Sequence, residues 1–251
     1  MLTIFRFIFG ALVALKTLQL TARASISTEG GIDLSDQAFL ALPLGATVLV
    51  CVGFFVLGKG IRLAALAILS GFLVFVFAFD FYNHHTYLII TICAIFALGV
   101  SVPQLLKIQL TIVYAFAALT KINETYLSGS ELYSSMVQAA VWQAVFRDDP
   151  SPKFLMIVSA ASIVVEAFLA VALWFARTRG IALVVGLCFH AGLVIAVTGG
   201  FDLFADLSIY GGLILALYLP FFQDELDPLV GRRTGSTASV RDAASSPTGS
   251  F

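Results

Sequence analysis

Charge is scarce in this sequence. Asp, Glu, Lys and Arg together supply 12% of the 251 residues, where a soluble domain usually carries about a quarter. A polar shell around a water-soluble core is therefore excluded over almost the whole length, and 60% of the residues are hydrophobic, with a mean hydropathy of +1.00. Alternation of apolar and polar residues is also missing. That excludes a transmembrane barrel, whose strands need one face for lipid and one for the lumen. Cysteine is sparse: Cys51, Cys93 and Cys188 lie inside apolar runs and form no CxxC pair. Neither a zinc site nor a dithiol redox centre is expected, and the three read as small packing residues. Basic residues are too few for a phosphate-binding stripe, and a net charge of −1 points away from nucleic acid as a partner.

What the chain does have is long apolar runs. With lipid as solvent, each backbone polar group in a span must be satisfied within its own helix. The expectation is an all-α polytopic transmembrane bundle of about eight spans, each needing about 20 residues to cross the hydrocarbon. They fall at 3–22, 37–57, 62–80, 86–102, 104–121, 154–176, 180–199 and 204–222. The fourth is short, and Pro103 between it and the fifth suggests a tight turn. Ala22-Arg23-Ala24 resembles a signal-peptide cleavage site, but Lys16 interrupts the first apolar run and only Arg6 precedes it. A retained first helix is the better reading.

Flanking charges set the expected orientation. Arg6, Lys59, Arg62, Lys107, Arg177, Arg179, Arg232, Arg233 and Arg241 share one face, against Arg23, Lys121, Arg147 and Lys153 on the other. Both termini are thus expected in the cytoplasm, with the protein integral to the plasma membrane. Residues 1–222 form the membrane domain, and 223–251, rich in Ser, Gly, Thr and Ala, read as a disordered cytoplasmic tail. In the outer loop 122–153, apolar positions 133, 136, 137, 140, 141 and 144 share a helical face, which suggests an interfacial helix with Trp142 at headgroup depth. An ordinary connector fits the same segment.

Ionisable residues inside spans are costly and mark candidate sites. Arg6 and Lys107, near helix ends, read as interfacial anchors, and Lys16 lies deeper. Glu166 and His190 are deepest, about 18 Å and about 15 Å from the outer side at 1.5 Å per residue. Groups at similar depth on neighbouring helices can pair, as a structural hydrogen bond or as a proton-carrying couple. A second polar cluster gathers at the outer face: Asp80, Asn83, His84, His85 and Tyr87, then Lys121, and Asp202 with Asp206. A lysine desolvated at a membrane boundary can act as a general base, with a histidine to hold an oxyanion or relay a proton. The same residues also fit plain interfacial polarity. His84 and His85 point to different helix faces.

The stretch Tyr82-Asn83-His84-His85-Thr86-Tyr87-Leu88 resembles the Trp-Asn-Asn-His-Ser-Tyr-Leu element of vitamin K-dependent γ-glutamyl carboxylases. It also resembles the wider HTTM (horizontally transferred transmembrane) family that shares their membrane domain. Ile112 to Asn123, ending Thr120-Lys121-Ile122-Asn123, is similar to that family's segment ending Gly-Val-Lys-Lys-Leu-Asp. Arg6 in Ile-Phe-Arg-Phe, then Glu166, His190 and the Phe201/Phe204 region, follow in the family's order. The resemblance implies chemistry on a vitamin K-type hydroquinone such as menaquinol, with Lys121 as the base that removes its proton and His85 as electrostatic partner. Asn83, His84, Asp80, Tyr87, Glu166 and His190 would then form the supporting polar set. Two departures stand out: Thr120 and His84 replace a lysine and an asparagine of the family's motifs. The carboxylases also continue into a large soluble region that helps bind their peptide. Peptide carboxylation is accordingly not expected, whereas quinol oxidation or epoxidation needs only the bundle. Two other readings stand beside it: a non-enzymatic subunit of a redox or peptide-maturation system, and a small transporter or DoxX-like quinol-linked protein using Glu166 and His190.

Overall fold

A computed structural model of the chain describes residues 2–25, 36–137, 140–145, 149–197 and 201–222. The stretch 223–251, expected as a tail, lies outside the described residues, as do Arg147 and the link 26–35. Every regular element among the described residues is a helix: α1 Leu2–Ser25, α2 Asp36–Leu57, α3 Ile61–Phe79, α4 His84–Leu98, α5 Val102–Thr120, three short helices α6 Glu124–Leu127, α7 Ser130–Val137 and α8 Ala140–Val145, then α9 Pro152–Ala172, α10 Ala176–Val197 and α11 Phe201–Ala216. A single 3-10 turn, Leu219–Phe222, extends the last helix. Among the described residues seven helices are long and apolar enough to cross a bilayer, and α4, with 15 residues, is the shorter eighth.

Short links reverse the chain between successive helices. Gly99 closes α4 at φ 66°, a left-handed conformation that a side chain would strain, and its N–H bonds back to Ile95. Pro103 sits not between the two helices, as expected, but in the first turn of α5. That position tolerates proline because the first-turn N–H has no intrahelical acceptor. Asn83 opens α4 by accepting from the Thr86 N–H at 3.0 Å, which fixes where the two histidines that follow begin their turn.

α1, α2, α3 and α4 pack in chain order, while α5 packs on α9 and α9 on α10. α11 touches α1, α4 and α10 and so closes the ring between the two halves. α4 and α5 meet only sparingly. Interior aromatics fill the first half: Phe5 stacks on Phe9 and Phe96 at 5.6 and 5.7 Å, and Phe55 meets Phe96 edge-on at 4.9 Å. Because lipid is as apolar as the core, such packing contacts rather than the hydrophobic effect hold the helices together.

The two ends of the bundle differ. One gathers Arg6 beside Gly58, Arg62 beside Gly99, Lys107 over Phe221 and Arg179 over Phe222. The opposite end carries Asp80, the histidine pair, Lys121 and Asp206. There α6 to α8 lie along the first half of α9: Gly129 packs on Leu155, Tyr126 donates to Ser162 at 2.7 Å, and the Trp142 ring lies 5.7 Å from Phe154. Of the positions expected on one apolar face, the side chains of Ala140 and Val141 lie outside the described residues. Met136 is buried, but Tyr133 and Ala144 are exposed, and the Tyr133 hydroxyl donates to Asp149 at 3.0 Å.

Candidate functional site: a polar cavity between five helices

α5 ends at Thr120, and Asn123 turns the chain at once by donating to the Thr120 carbonyl at 2.9 Å and capping α6. Lys121, the residue at this reversal, is left with its side chain running alongside α9. Its Nζ donates to Glu166 Oε1 at 2.6 Å. Two aromatic faces flank the same nitrogen, Tyr126 at 5.3 Å and Phe189 at 5.9 Å from the ring centres. Ring faces attract a cation, so both rings add a cation–π contact to the ion pair. Glu166 is buried, and its second oxygen, Oε2, has no hydrogen-bond partner among the described residues.

Beside this pair, His190 Nε2 shares a hydrogen bond of 2.9 Å with the Tyr114 hydroxyl, which is in turn bonded to the Tyr218 hydroxyl. All three residues are buried. Gly186, one turn from His190 on α10, faces the Tyr218 ring, and a methyl group there would collide with it.

These groups line one cavity of about 580 Å³, within the range of small-molecule sites. Lys121, Glu166, His190, Tyr114 and Tyr210 give it a polar interior, and Tyr87 and Phe116 stand at the thinly packed α4–α5 border. Both of those aromatics are exposed. His84 and Gln109 also line it.

The structure thus brings together Lys121, Glu166, His190, His84 and Tyr87 from the sequence-derived set. His85 is not among the residues lining the cavity. It is buried on the other side of α4, its Nε2 3.6 Å from Asp206 Oδ1 and without a hydrogen-bond partner among the described residues. Asp206 accepts from Lys16 Nζ at 2.9 Å and from Arg23 at 3.4 Å, and Lys16, itself fully buried, also donates to Gln19 at 2.8 Å. Glu166 and His190 line the same cavity, but their hydrogen-bond partners are Lys121 and Tyr114. Asn83 serves as the α4 cap, Asp80 ends α3 in an exposed left-handed conformation at φ 53°, and the Asp202 side chain lies outside the described set. Sequence reasoning overlooked Tyr114, Tyr210 and Gln109. Each is a polar side chain within a span, and searching for hydrogen-bonding groups as well as ionisable ones would have found them. Among the described residues no group of three or more His, Cys, Asp or Glu side chains is arranged to hold a metal.

Apolar helices of membrane-crossing length, packed around a partly open cavity with polar groups at one end, define an integral membrane protein. Residues 99–201 match the HTTM domain. That match runs from the α4–α5 turn to the first residue of α11 and includes Lys121, Glu166 and His190. The resemblance drawn from short motifs therefore stands over this segment, although the motifs also included residues 82–88 and the first span. No curated protein and no solved structure matches the chain.

Proposed function

We propose that this protein admits a lipid-soluble hydroquinone between α4 and α5 and removes its phenolic proton at Lys121. The observation that carries this reading is the cavity itself: aromatic and thinly packed where α4 meets α5, polar where Lys121 and Glu166 meet. Tyr87, Phe116 and Tyr114 offer aromatic surface to a flat ring, and a hydrocarbon tail can remain in the bilayer past the α4–α5 border. His190, anchored by Tyr114, offers a second hydrogen-bonding group to the ring oxygens. In this reading His84, which lines the cavity, takes the place next to the ligand that the family resemblance gave to His85. A bound hydroquinone supplies the acidic hydroxyl; the chain supplies the base and the polar contacts.

The basic end of the bundle supports an orientation with Arg6, Lys59, Arg62, Lys107, Arg177 and Arg179 toward the cytoplasm. The Lys121 end then faces outward across the plasma membrane. Purified protein in nanodiscs, supplied with a vitamin K-type hydroquinone and with dissolved oxygen as the two-electron oxidant, tests the reading through consumption of the hydroquinone, because the deprotonated form is the one that oxygen oxidises. Loss of the base in Lys121→Ala should lower the rate by about 100-fold or more with folding unchanged. Equal rates in the two proteins, or no consumption by either, would overturn it, and the latter would favour the partner-subunit reading.

A further inference from the structure

We propose that Glu166, acting through Lys121, is the final acceptor of the phenolic proton, an inference that rests on the cavity being a hydroquinone site. A lysine held as an ammonium has no lone pair and cannot act as a base until it gives up a proton. The carboxylate at 2.6 Å is positioned to take that proton. Lys121 passes one N–H proton to Glu166 Oε1, and its freed lone pair then accepts the proton from the phenolic O–H. One O–H bond on the ligand and one N–H bond break; one O–H bond on Glu166 and one N–H bond form. Lys121 ends as it began, an ammonium, and Glu166 ends as a neutral acid.

Charge accounting favours this route. At the start there is one cation and one anion in contact, and at the end there is still one of each. The negative charge has only moved from Glu166 to the phenolic oxygen beside the same ammonium. A neutral amine acting alone would instead create two opposite charges in a low-dielectric interior where none existed, and burying charge is the costly step. The starting carboxylate is also poorly served. Its Oε2 is buried with no donor among the described residues, a condition that penalises an ionised oxygen more than a neutral carbonyl. Moving the charge off Glu166 relieves that penalty. Glu166 lines the cavity, but its part in this step is to hold Lys121 and to take its proton, at the far side of the lysine from the phenolic oxygen.

The test uses the full chain in nanodiscs and a methylated naphthol as probe, which has a single acidic hydroxyl and is not turned over to a quinone. Its intrinsic fluorescence reports binding, its visible-edge absorbance reports the naphtholate, and infrared difference spectra report protonated carboxyl groups. The expected result is naphtholate formation together with a new protonated-carboxyl C=O band. That band should shift when glutamate carries a heavy-carbon label in its side-chain carboxyl, and it should be lost in Glu166→Gln. Labelling needs no substitution, so the proposal stays testable if the variant does not fold. Naphtholate without a label-sensitive band, or a band that survives in folded Glu166→Gln, overturns the role of Glu166 and leaves the hydroquinone reading intact. Bound probe that stays neutral, or no binding at all, overturns both.

Discussion

The hydroxyl chain behind the cavity depends on one missing methyl group. Gly186 on α10 faces Tyr218, and a Cβ added there would stand 2.7 and 2.8 Å from two ring carbons and closer still to the hydroxyl oxygen. Real Cβ atoms do not approach so closely, so Gly186→Ala must push the Tyr218 ring aside. Overpacking of this kind costs about 1–3 kcal/mol. Displacing the hydroxyl also parts it from Tyr114 and leaves a buried phenol without its partner, about 1–3 kcal/mol more. The sum is a loss of about 2–6 kcal/mol. Gly192, on the same helix, meets nothing within 4 Å, and Gly192→Ala should be neutral or stabilising by up to about 1 kcal/mol through helix propensity. The assay is thermal or denaturant unfolding of both variants in one detergent at fixed protein concentration. Adding Tyr218→Phe to Gly186→Ala should recover part of the loss, since the nearest colliding atom is removed. Gly186→Ala and Gly192→Ala equal within about 0.5 kcal/mol would refute the reasoning, because that is the scatter of substitutions that meet nothing.

Three further outcomes follow from the same contacts. Lys16→Ala leaves Asp206 short of its closest cation, with Arg23 still beside it, and should destabilise the bundle by about 1.5–3 kcal/mol, the worth of a hydrogen bond to a charged group; joint replacement of Lys16 by Met and Asp206 by Asn should cost clearly less in the same unfolding assay. Asn83→Ala removes the α4 cap and should cost about 1 kcal/mol, with Asn83→Asp retaining most of it. Phe116→Trp enlarges an exposed side chain at the α4–α5 border, so it should slow probe entry into the cavity, read by stopped-flow fluorescence, while leaving the unfolding midpoint unchanged.

Much of the bundle was legible from hydropathy because lipid imposes one rule, that a span be apolar and internally bonded. The short α4 was legible too, from the brevity of its run. The pairing inside was less so. Counting residues from the ends of spans placed Glu166 beside His190. However, the first half of α9 projects beyond the end of α5, where α6 to α8 cover it. Gly129 meets Leu155, Tyr126 meets Ser162 and Lys121 meets Glu166 in steps along it. Glu166 therefore sits level with the end of α5, within reach of a long lysine chain. Rotation about the helix axis is the other hidden variable. Adjacent residues on a helix differ by about 100°, so His84 and His85 had to diverge. Which one faced the cavity depended on how α4 is turned against α11, and no local pattern records that.

The Lys16–Asp206 contact joins residues 190 positions apart, and this separation has a meaning in time. Chains emerge from the ribosome at about 5–20 residues per second, so α1 waits about 10–40 s before α11 exists to neutralise it. During that interval the lysine that ends fully enclosed has only its own helix and its early neighbours for company. The first helix must therefore linger near water, or against the insertion machinery, with its amine still hydrated. Arrival of the last helix is what lets the first one seat fully. Assembly of this membrane domain is accordingly gated from its carboxyl end, and a chain halted before Asp206 should leave its opening helix accessible to water-borne lysine reagents that the finished bundle excludes.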